Sequence, residues 1–124
     1  ARIITVFGCG GDKDRAKRPL MGAVVARLSD VILLTSDNPR SEDPAAIARD
    51  AEAGIRPELT PAKSYLCVLE REEALRQALA LAREGDAVVV AGKGHEREQI
   101  IGAQKREFHD PTVLRALLGE MGWR

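Results

Sequence analysis

Aromatic residues and net charge are both scarce in this sequence. Only 3% of the residues are aromatic, and 19 basic residues are balanced by 19 acidic ones. A protein that binds nucleic acid normally carries excess positive charge for the phosphates, and single-strand binders add aromatic side chains on which bases stack. The composition therefore argues against a nucleic-acid partner.

Long apolar runs are also missing. No run approaches the roughly 20 residues that a membrane-spanning helix needs, and the N-terminus has no basic region followed by an apolar signal segment. These absences predict a soluble, cytoplasmic protein without a membrane partner.

Cysteine is rare, and neither cysteine suggests a metal site or a disulfide framework. Cys9 lies in a glycine-rich loop, and Cys67 lies inside an apolar run. We interpret Cys67 as a small core residue. Cys9 has no histidine beside it in the sequence, so we do not expect it to be a nucleophile.

What is present is an ordinary globular composition, with 44% hydrophobic and 31% charged residues in 124 positions. This length predicts a single domain. The sequence opens directly with a strand-like run and without an initiator methionine, which suggests a piece of a longer protein.

Strand-like and helical patterns alternate along the whole chain. Residues 3–7, 31–35, 64–69 and 87–92 read as strands buried on both faces. The helical stripes contain Leu20, Val24 and Leu28, then Leu75, Leu79 and Ala82, and finally Val113, Leu114, Leu117 and Leu118. The pattern predicts an α/β, Rossmann-like domain with a mostly parallel sheet, helices on both faces, and a hairpin over 99–108 at the C-terminal edge.

Helix boundaries are marked by prolines and glycines. Pro19 and Pro44 lie in predicted first turns, and Gly54 and Gly85 are expected to end the helices that precede them.

Three loops that follow predicted strands have unusual chemistry. They are GCGGDKDRAKRP at 8–19, SDNPRSEDP at 36–44 and GKGHERE at 92–98. Ligands of parallel sheets gather at the carboxyl ends of the strands, so the three loops predict a site at one rim.

Two phosphate-binding motifs can be excluded from these loops. A dinucleotide fingerprint needs glycine where the chain has Lys13, and a Walker A motif needs glycine at Ala87 and a hydroxyl residue at Gly94. The glycines of the first loop are expected to let the backbone approach an anion or a neighbouring domain. The basic residues there provide positive charge or simply face solvent; they are Lys13, Arg15, Lys17 and Arg18. His95 is either an acid–base group or a structural hydrogen bonder.

The second loop contains the residues that we expect to bind a ligand. Arg40 offers a planar fork for a carboxylate, whereas Asp37, Asn38 and Glu96 offer oxygens to an ammonium group. Together these groups fit the head of an amino acid. The alternative is a simple turn in which Arg40 is a solvated charge.

The segments VFGCGGDKDRAKRPLMG, TSDNPRSEDP and VVVAGKGHE closely resemble the C-terminal domain of the Mur ligases, over almost the whole chain. The DNPR motif is the mark of the members that add meso-2,6-diaminopimelate. The resemblance implies that the full-length protein is a cytoplasmic ligase of peptidoglycan synthesis that uses ATP and Mg²⁺. It also implies a domain that binds the UDP-sugar and a central ATPase domain, and an earlier strand and helix that this chain lacks.

By the same resemblance, several residues bind diaminopimelate: Asp37, Asn38, Pro39 and Arg40 of the DNPR motif, together with Gly92 and Glu96. Lys13 stands where these members usually have arginine, so the amino acid that is added stays open. No residue inherits a role in phosphoryl transfer, and the chain alone is expected to be inactive. The rival hypothesis is a Rossmann-like module that binds an anion or a partner and catalyses nothing.

Overall fold

The structure, a computed structural model, describes residues 2–11, 14–91 and 110–122, and the backbone of 98–101 and 104–107. The strands are β1 (Ile3–Phe7), β2 (Val31–Leu34), β3 (Ser64–Cys67), β4 (Ala87–Ala91), β5 (Glu98–Ile101) and β6 (Gln104–Glu107). The helices are α1 (Lys17–Leu28), α2 (Pro44–Ile55), α3 (Arg71–Leu81) and α4 (Asp110–Glu120), with a short 3₁₀ turn at Arg56–Glu58.

The first four strands form one parallel sheet in the order β3-β2-β1-β4. Strands β5 and β6 pair with each other antiparallel, as the predicted hairpin requires, but they form a separate two-stranded sheet. The expected position of this hairpin at the edge of the main sheet is not confirmed.

Helices cover the main sheet on both faces, which confirms the predicted α/β architecture. One face carries α3 and α4, whose Leu75 and Leu117 pack against Ile4 and Val6. The other face carries α1 and α2, whose Ala26 and Ile47 belong to the same cluster as Phe7. Two apolar clusters therefore sandwich the sheet.

All four strands were predicted to be buried on both faces, but only the two central strands of the sheet are. All of β2 and nearly all of β1 are buried, whereas β3 and β4 are partly exposed. The prediction was wrong for these two because they are the edge strands, each with a single neighbour among the described strands. Cys67 lies on β3 and is exposed, so its assignment to the core was also wrong.

Helix α1 presents its large apolar residues away from the core. Leu20, Val24 and Leu28 are 66%, 49% and 70% exposed, whereas Gly22 and Ala26 are buried. The predicted stripe exists, but it does not face the sheet. The side of α1 that packs is the side with small residues, because α1 and α2 approach each other closely there.

Gly54 is part of that close approach and does not end its helix. Helix α2 continues to Ile55, and a Cβ atom on Gly54 would overlap the carbonyl oxygen of Pro19 on α1. On the partner helix, a Cβ on Gly22 would likewise overlap the carbonyl oxygen of Ala51. Helix α2 begins at Pro44, as predicted. The side chain of Asp43, just before it, accepts a hydrogen bond from the Ala45 N–H.

Candidate functional site

Two loops meet at the carboxyl ends of the central strands. We call residues 8–11, after β1, the first rim loop, and residues 35–42, after β2, the second rim loop. The Thr35 N–H donates to the carbonyl oxygen of Phe7 at 2.8 Å, and the Gly11 N–H donates to that of Asn38 at 2.6 Å. These bonds carry the pairing of β1 and β2 beyond the sheet, so the two loops are held as one unit.

Glycine is required where the rim loops touch. A Cβ on Gly8 would lie 2.6 Å from the carbonyl oxygen of Thr35, and one on Gly11 would overlap the carbonyl oxygen of Pro39. The sequence predicted glycines that admit an anion or a neighbouring domain. Gly8 and Gly11 instead admit the second rim loop of the same domain.

The DNPR motif forms the second rim loop and is mostly buried. Asp37 and Asn38 are 7% and 3% exposed, Pro39 is fully buried, and Arg40 is half-buried. A solvated turn would leave these polar side chains in water. Their burial favours the interpretation as a built site, because buried polar side chains must find partners.

Arg40 has an unusual backbone conformation. Its φ is 53°, in the left-handed region that costs a residue with a Cβ atom roughly 1 kcal/mol. Its Nη1 donates to the carbonyl oxygens of Gly11 at 3.0 Å and Asn38 at 3.2 Å. Arg40 thus ties the two rim loops together. Both of these bonds come from Nη1.

Arg18 provides a second tie between the loops. Its side chain is 2% exposed and pairs with Glu42 and Asp50, both at 2.9 Å, and Nη2 also donates to the carbonyl oxygen of Gly10 at 3.0 Å. Hydrogen bonding to Glu42 raises the pKa of Arg18 further. The expected positive charge of the first loop is therefore partly neutralised within the domain, since Arg15 also pairs with Asp50 at 3.1 Å.

Cys9 is buried beneath the rim. Burial raises the pKa of its thiol above the ordinary value. The thiol therefore stays protonated near neutral pH, as expected for a residue that is not a nucleophile.

Three of the predicted site residues lie outside the described residues, namely Lys13, Gly92 and Glu96. His95 lies outside them as well. The predicted site residues that the structure describes are those of the DNPR motif, in the second rim loop. That they bind a ligand stays a prediction, as does the contribution of the third loop.

The sheet, its two helical layers and the rim loops define a Rossmann-like α/β domain with a candidate ligand site at the carboxyl rim. The family described as Mur ligase, glutamate ligase domain, matches residues 1–94, well over half of the chain. The chain therefore belongs to the Mur ligase family.

Similar proteins carry the name UDP-N-acetylmuramoyl-L-alanyl-D-glutamate–2,6-diaminopimelate ligase. The chain is 57% identical to the Lawsonia intracellularis protein over 95% of its length, and 52% identical to that of Geobacillus kaustophilus over 97%. A solved structure of a ligase with this name superimposes with a TM-score of 0.90 at 38% identity, over 99% of this chain. The chain spans about a quarter of the length of these relatives.

Two features are absent from the part of the chain that the structure describes. In that part of the chain no helix is long and apolar enough to cross a membrane. Among the same residues, no three or more His, Cys, Asp or Glu side chains converge in a way that could hold a metal ion.

Proposed function

We propose that this chain is the amino-acid-receiving C-terminal domain of a cytoplasmic, ATP-dependent ligase of peptidoglycan precursor synthesis. The full-length enzyme adds meso-2,6-diaminopimelate to UDP-N-acetylmuramoyl-L-alanyl-D-glutamate. The observation that carries this proposal is the identity of 57% over 95% of the chain with a ligase of that name. The buried DNPR loop at the expected rim supports it independently.

The role of this domain is to bind and orient the incoming amino acid. Arg40 receives the distal carboxylate on its guanidinium group, while Nη1 holds this group against the rim loops. Asp37 and Asn38 offer oxygens to the distal ammonium group, together with Glu96 from the third loop. Lys13 and Gly92 complete the pocket. The amino group at the other end of diaminopimelate is then free to attack an activated carboxyl group.

In the full-length enzyme, ATP with Mg²⁺ would supply that activation: the carboxylate of the muramoyl dipeptide would take the γ-phosphoryl group, and ADP would leave. We assign no step of phosphoryl transfer to the residues of this chain. The central ATPase domain of the same enzyme is the proposed partner, and it brings ATP and the muramoyl dipeptide to the rim.

Exposed apolar surface supports the proposal that an additional strand and helix belong to this domain. The outward stripe of α1 lines a groove of about 410 Å³ with Leu20, Met21 and Val24. Val89 on β4 is 45% exposed, and its register partner Thr5 places it on the face that carries α1. The uncovered part of the sheet therefore lies on the same face as α1.

The geometry of parallel sheets says which element fits this surface. A strand added beside β4 and followed by β1 would connect through a helix, and the right-handed crossover rule places this helix on the face of α1. The connection from β1 through α1 to β2 steps along the sheet in the same direction. We propose that a strand and an amphipathic helix before β1 cover the exposed edge and the stripe, within the remaining three quarters of a protein of the relatives' length.

The proposed substrate contact can be tested with Arg40→Ala in the full-length enzyme. Removing a charge-assisted bidentate contact costs about 2–4 kcal/mol, so kcat/KM for diaminopimelate should fall roughly 30- to 1000-fold. Arg56→Ala is the control, because Arg56 is an exposed arginine that pairs with Glu52 at 3.5 Å, on the outer side of α2. A loss below threefold for Arg40→Ala would support the rival, non-catalytic module.

Lys13 tests which amino acid is added. Lysine is a point charge without the fork of arginine, so Lys13→Arg should maintain or improve kcat/KM for diaminopimelate if this is the substrate. A preference of the unmodified enzyme for lysine or ornithine above tenfold, about 1.4 kcal/mol, would overturn the substrate but not the ligase assignment.

A further inference from the structure

Arg71 is the most deeply buried charged residue that the proposed function leaves without a role. It is the first residue of α3, its side chain is fully buried, and its partner Asp110 is the first residue of α4. A cation at a helix N-terminus opposes the helix dipole. Its burial there also requires that every charge and N–H group be satisfied, so the position demands an explanation.

The contacts of Arg71 reach both sides of the rim. Nε donates to Asp110 Oδ1 at 2.8 Å, and Nη2 donates to Asp110 Oδ2 at 2.6 Å, which forms a bidentate ion pair. Nη1 donates to the carbonyl oxygen of Ser36 at 3.0 Å, and Nη2 makes a longer contact of 3.5 Å with that of Ala91. One guanidinium group therefore touches the ends of two strands and the starts of two helices.

The two strand ends are not neighbours in the sheet. Ser36 follows β2 and precedes Asp37, whereas Ala91 ends β4 and precedes Gly92; β1 lies between these strands. Adjacent strands are about 4.8 Å apart, so the two ends lie on the order of 10 Å from each other without direct backbone pairing. Arg71 bridges this gap beneath the rim.

We propose that Arg71 is a positioning residue for the substrate pocket, which holds the second rim loop at a fixed distance from the end of β4. Asp110 fixes the plane of the guanidinium, and the guanidinium fixes the carbonyl groups next to Asp37 and Gly92. The inference rests on the proposed function, because both of these residues are proposed to bind diaminopimelate. A pocket that binds two charged groups of one small molecule needs such a constant spacing.

The alternative is that Arg71 and Asp110 only stabilise the packing of α3 on α4. Two variants with a similar loss of stability can separate these roles, because only the loss of a positioning role should also weaken the binding of diaminopimelate. Arg71→Lys keeps the positive charge beside Asp110 but loses the planar fork, so it cannot hold Asp110 and both carbonyl groups together. Leu79→Ala removes apolar side-chain volume from the same helix, within the apolar cluster where α3 packs beside α4. Leu79 lies toward the other end of α3 from Arg71.

The experiment compares these variants in the full-length enzyme. Arg71→Lys is expected to raise KM for diaminopimelate at least tenfold and to leave KM for ATP within twofold. Leu79→Ala is expected to lower Tm by a similar or larger amount and to leave KM for diaminopimelate within twofold. If Arg71→Lys changes KM no more than Leu79→Ala, the positioning role is wrong.

A double variant covers the case in which Arg71→Lys does not fold. Arg71→Met with Asp110→Leu removes the whole ion pair in favour of apolar side chains of similar size, a replacement that buried pairs often tolerate. If Tm is retained, KM for diaminopimelate should still rise at least tenfold. An unchanged KM at unchanged Tm would overturn the proposal.

Hydrogen exchange separates this inference from the proposed function. The amides of residues 35–42 should exchange faster in Arg71→Lys than in Leu79→Ala, whether or not the protein accepts diaminopimelate. If no diaminopimelate is turned over, the proposed function fails and exchange alone decides the role of Arg71. Equal exchange in the two variants would contradict the positioning role.

Discussion

The two helical layers of this domain pack on the sheet in different ways. Helices α3 and α4 bury large aliphatic side chains, of which Leu75 and Leu117 are almost fully covered. Helices α1 and α2 pack on each other through glycine, at Gly22 and Gly54, and α1 turns its leucines outward. The same apolar periodicity thus has opposite outcomes on the two faces.

The difference shows what an apolar stripe does and does not specify. A stripe requires an apolar neighbour, but it does not say which neighbour. In α3 and α4 the neighbours are the sheet and each other. In α1 the contact with α2 is already formed by small residues that allow close backbone approach, so the large residues remain for another element.

The largest expected effect contrasts one leucine from each layer. Leu75→Ala should lower the free energy of unfolding by about 2–5 kcal/mol, because it opens a cavity in a packed cluster. Leu28→Ala removes the same atoms from a side chain that is 70% exposed and should change stability by less than about 0.5 kcal/mol. Urea denaturation of the 124-residue chain measures both.

Leu28→Ala also tests whether a further helix covers α1, as we propose. In a longer protein that includes the preceding strand and helix, Leu28→Ala should become markedly more destabilising than in the 124-residue chain. An effect below about 0.5 kcal/mol in both contexts would show that Leu28 has no apolar neighbour there.

A smaller effect contrasts two helical glycines. Gly54→Ala should destabilise the chain by about 1–3 kcal/mol, because the new methyl group overlaps the carbonyl oxygen of Pro19 and forces α1 away from α2. Gly119→Ala on α4 meets nothing within 4 Å and should stabilise the helix by up to about 1 kcal/mol. Thermal unfolding compares them. If both substitutions stabilise the chain, or both destabilise it, the packing of α1 on α2 through glycine would be contradicted.

The sequence predicted the fold well because alternating patterns are local signals. The strand at Ile3–Phe7 was predicted to the residue, and the starts of the other three strands of the main sheet were also correct. Strand order is not a local signal, so the exposure of β3 and β4 could not be inferred. The role of Gly54 was missed for a similar reason, since a close approach between two helices leaves no mark that distinguishes it from a helix end.

The candidate site was predicted in part. The acid, amide and arginine of the DNPR motif are unusual enough directly after a strand to indicate a built loop. The ties that hold this loop were missed, because Arg18 was interpreted as loop charge and Arg71 was not singled out. One signal was available for Arg71, namely an arginine in the first turn of a helix, where the dipole favours acidic residues.

The smallest expected effect concerns the ion pairs of the two layers. Hydrogen bonds from Arg15, and then from Arg18, hold the pKa of Asp50 on α2 below its usual value. A carboxyl group with a lowered folded-state pKa contributes stability that is present above its unfolded pKa of about 3.9 and is lost as pH falls through the folded pKa. Asp50→Asn should cost about 1 kcal/mol or less at pH 7, because the amide oxygen still accepts hydrogen bonds and Arg18 keeps Glu42.

This cost of Asp50→Asn should shrink toward zero as the pH at which unfolding is measured falls through the lowered folded-state pKa of Asp50, because the carboxyl group is then protonated. The matched change on the other layer is Glu120→Gln, which removes the exposed pair between Arg76 and Glu120 that joins α3 to α4 at 2.9 Å. An exposed pair of this kind contributes little, so we expect a smaller loss at pH 7 than for Asp50→Asn. If Glu120→Gln costs more, the ion pairs of the α3 and α4 layer are the stronger ones. The contrast between the exposed Arg76–Glu120 pair and the partly buried Arg18–Asp50 pair would then have to be abandoned.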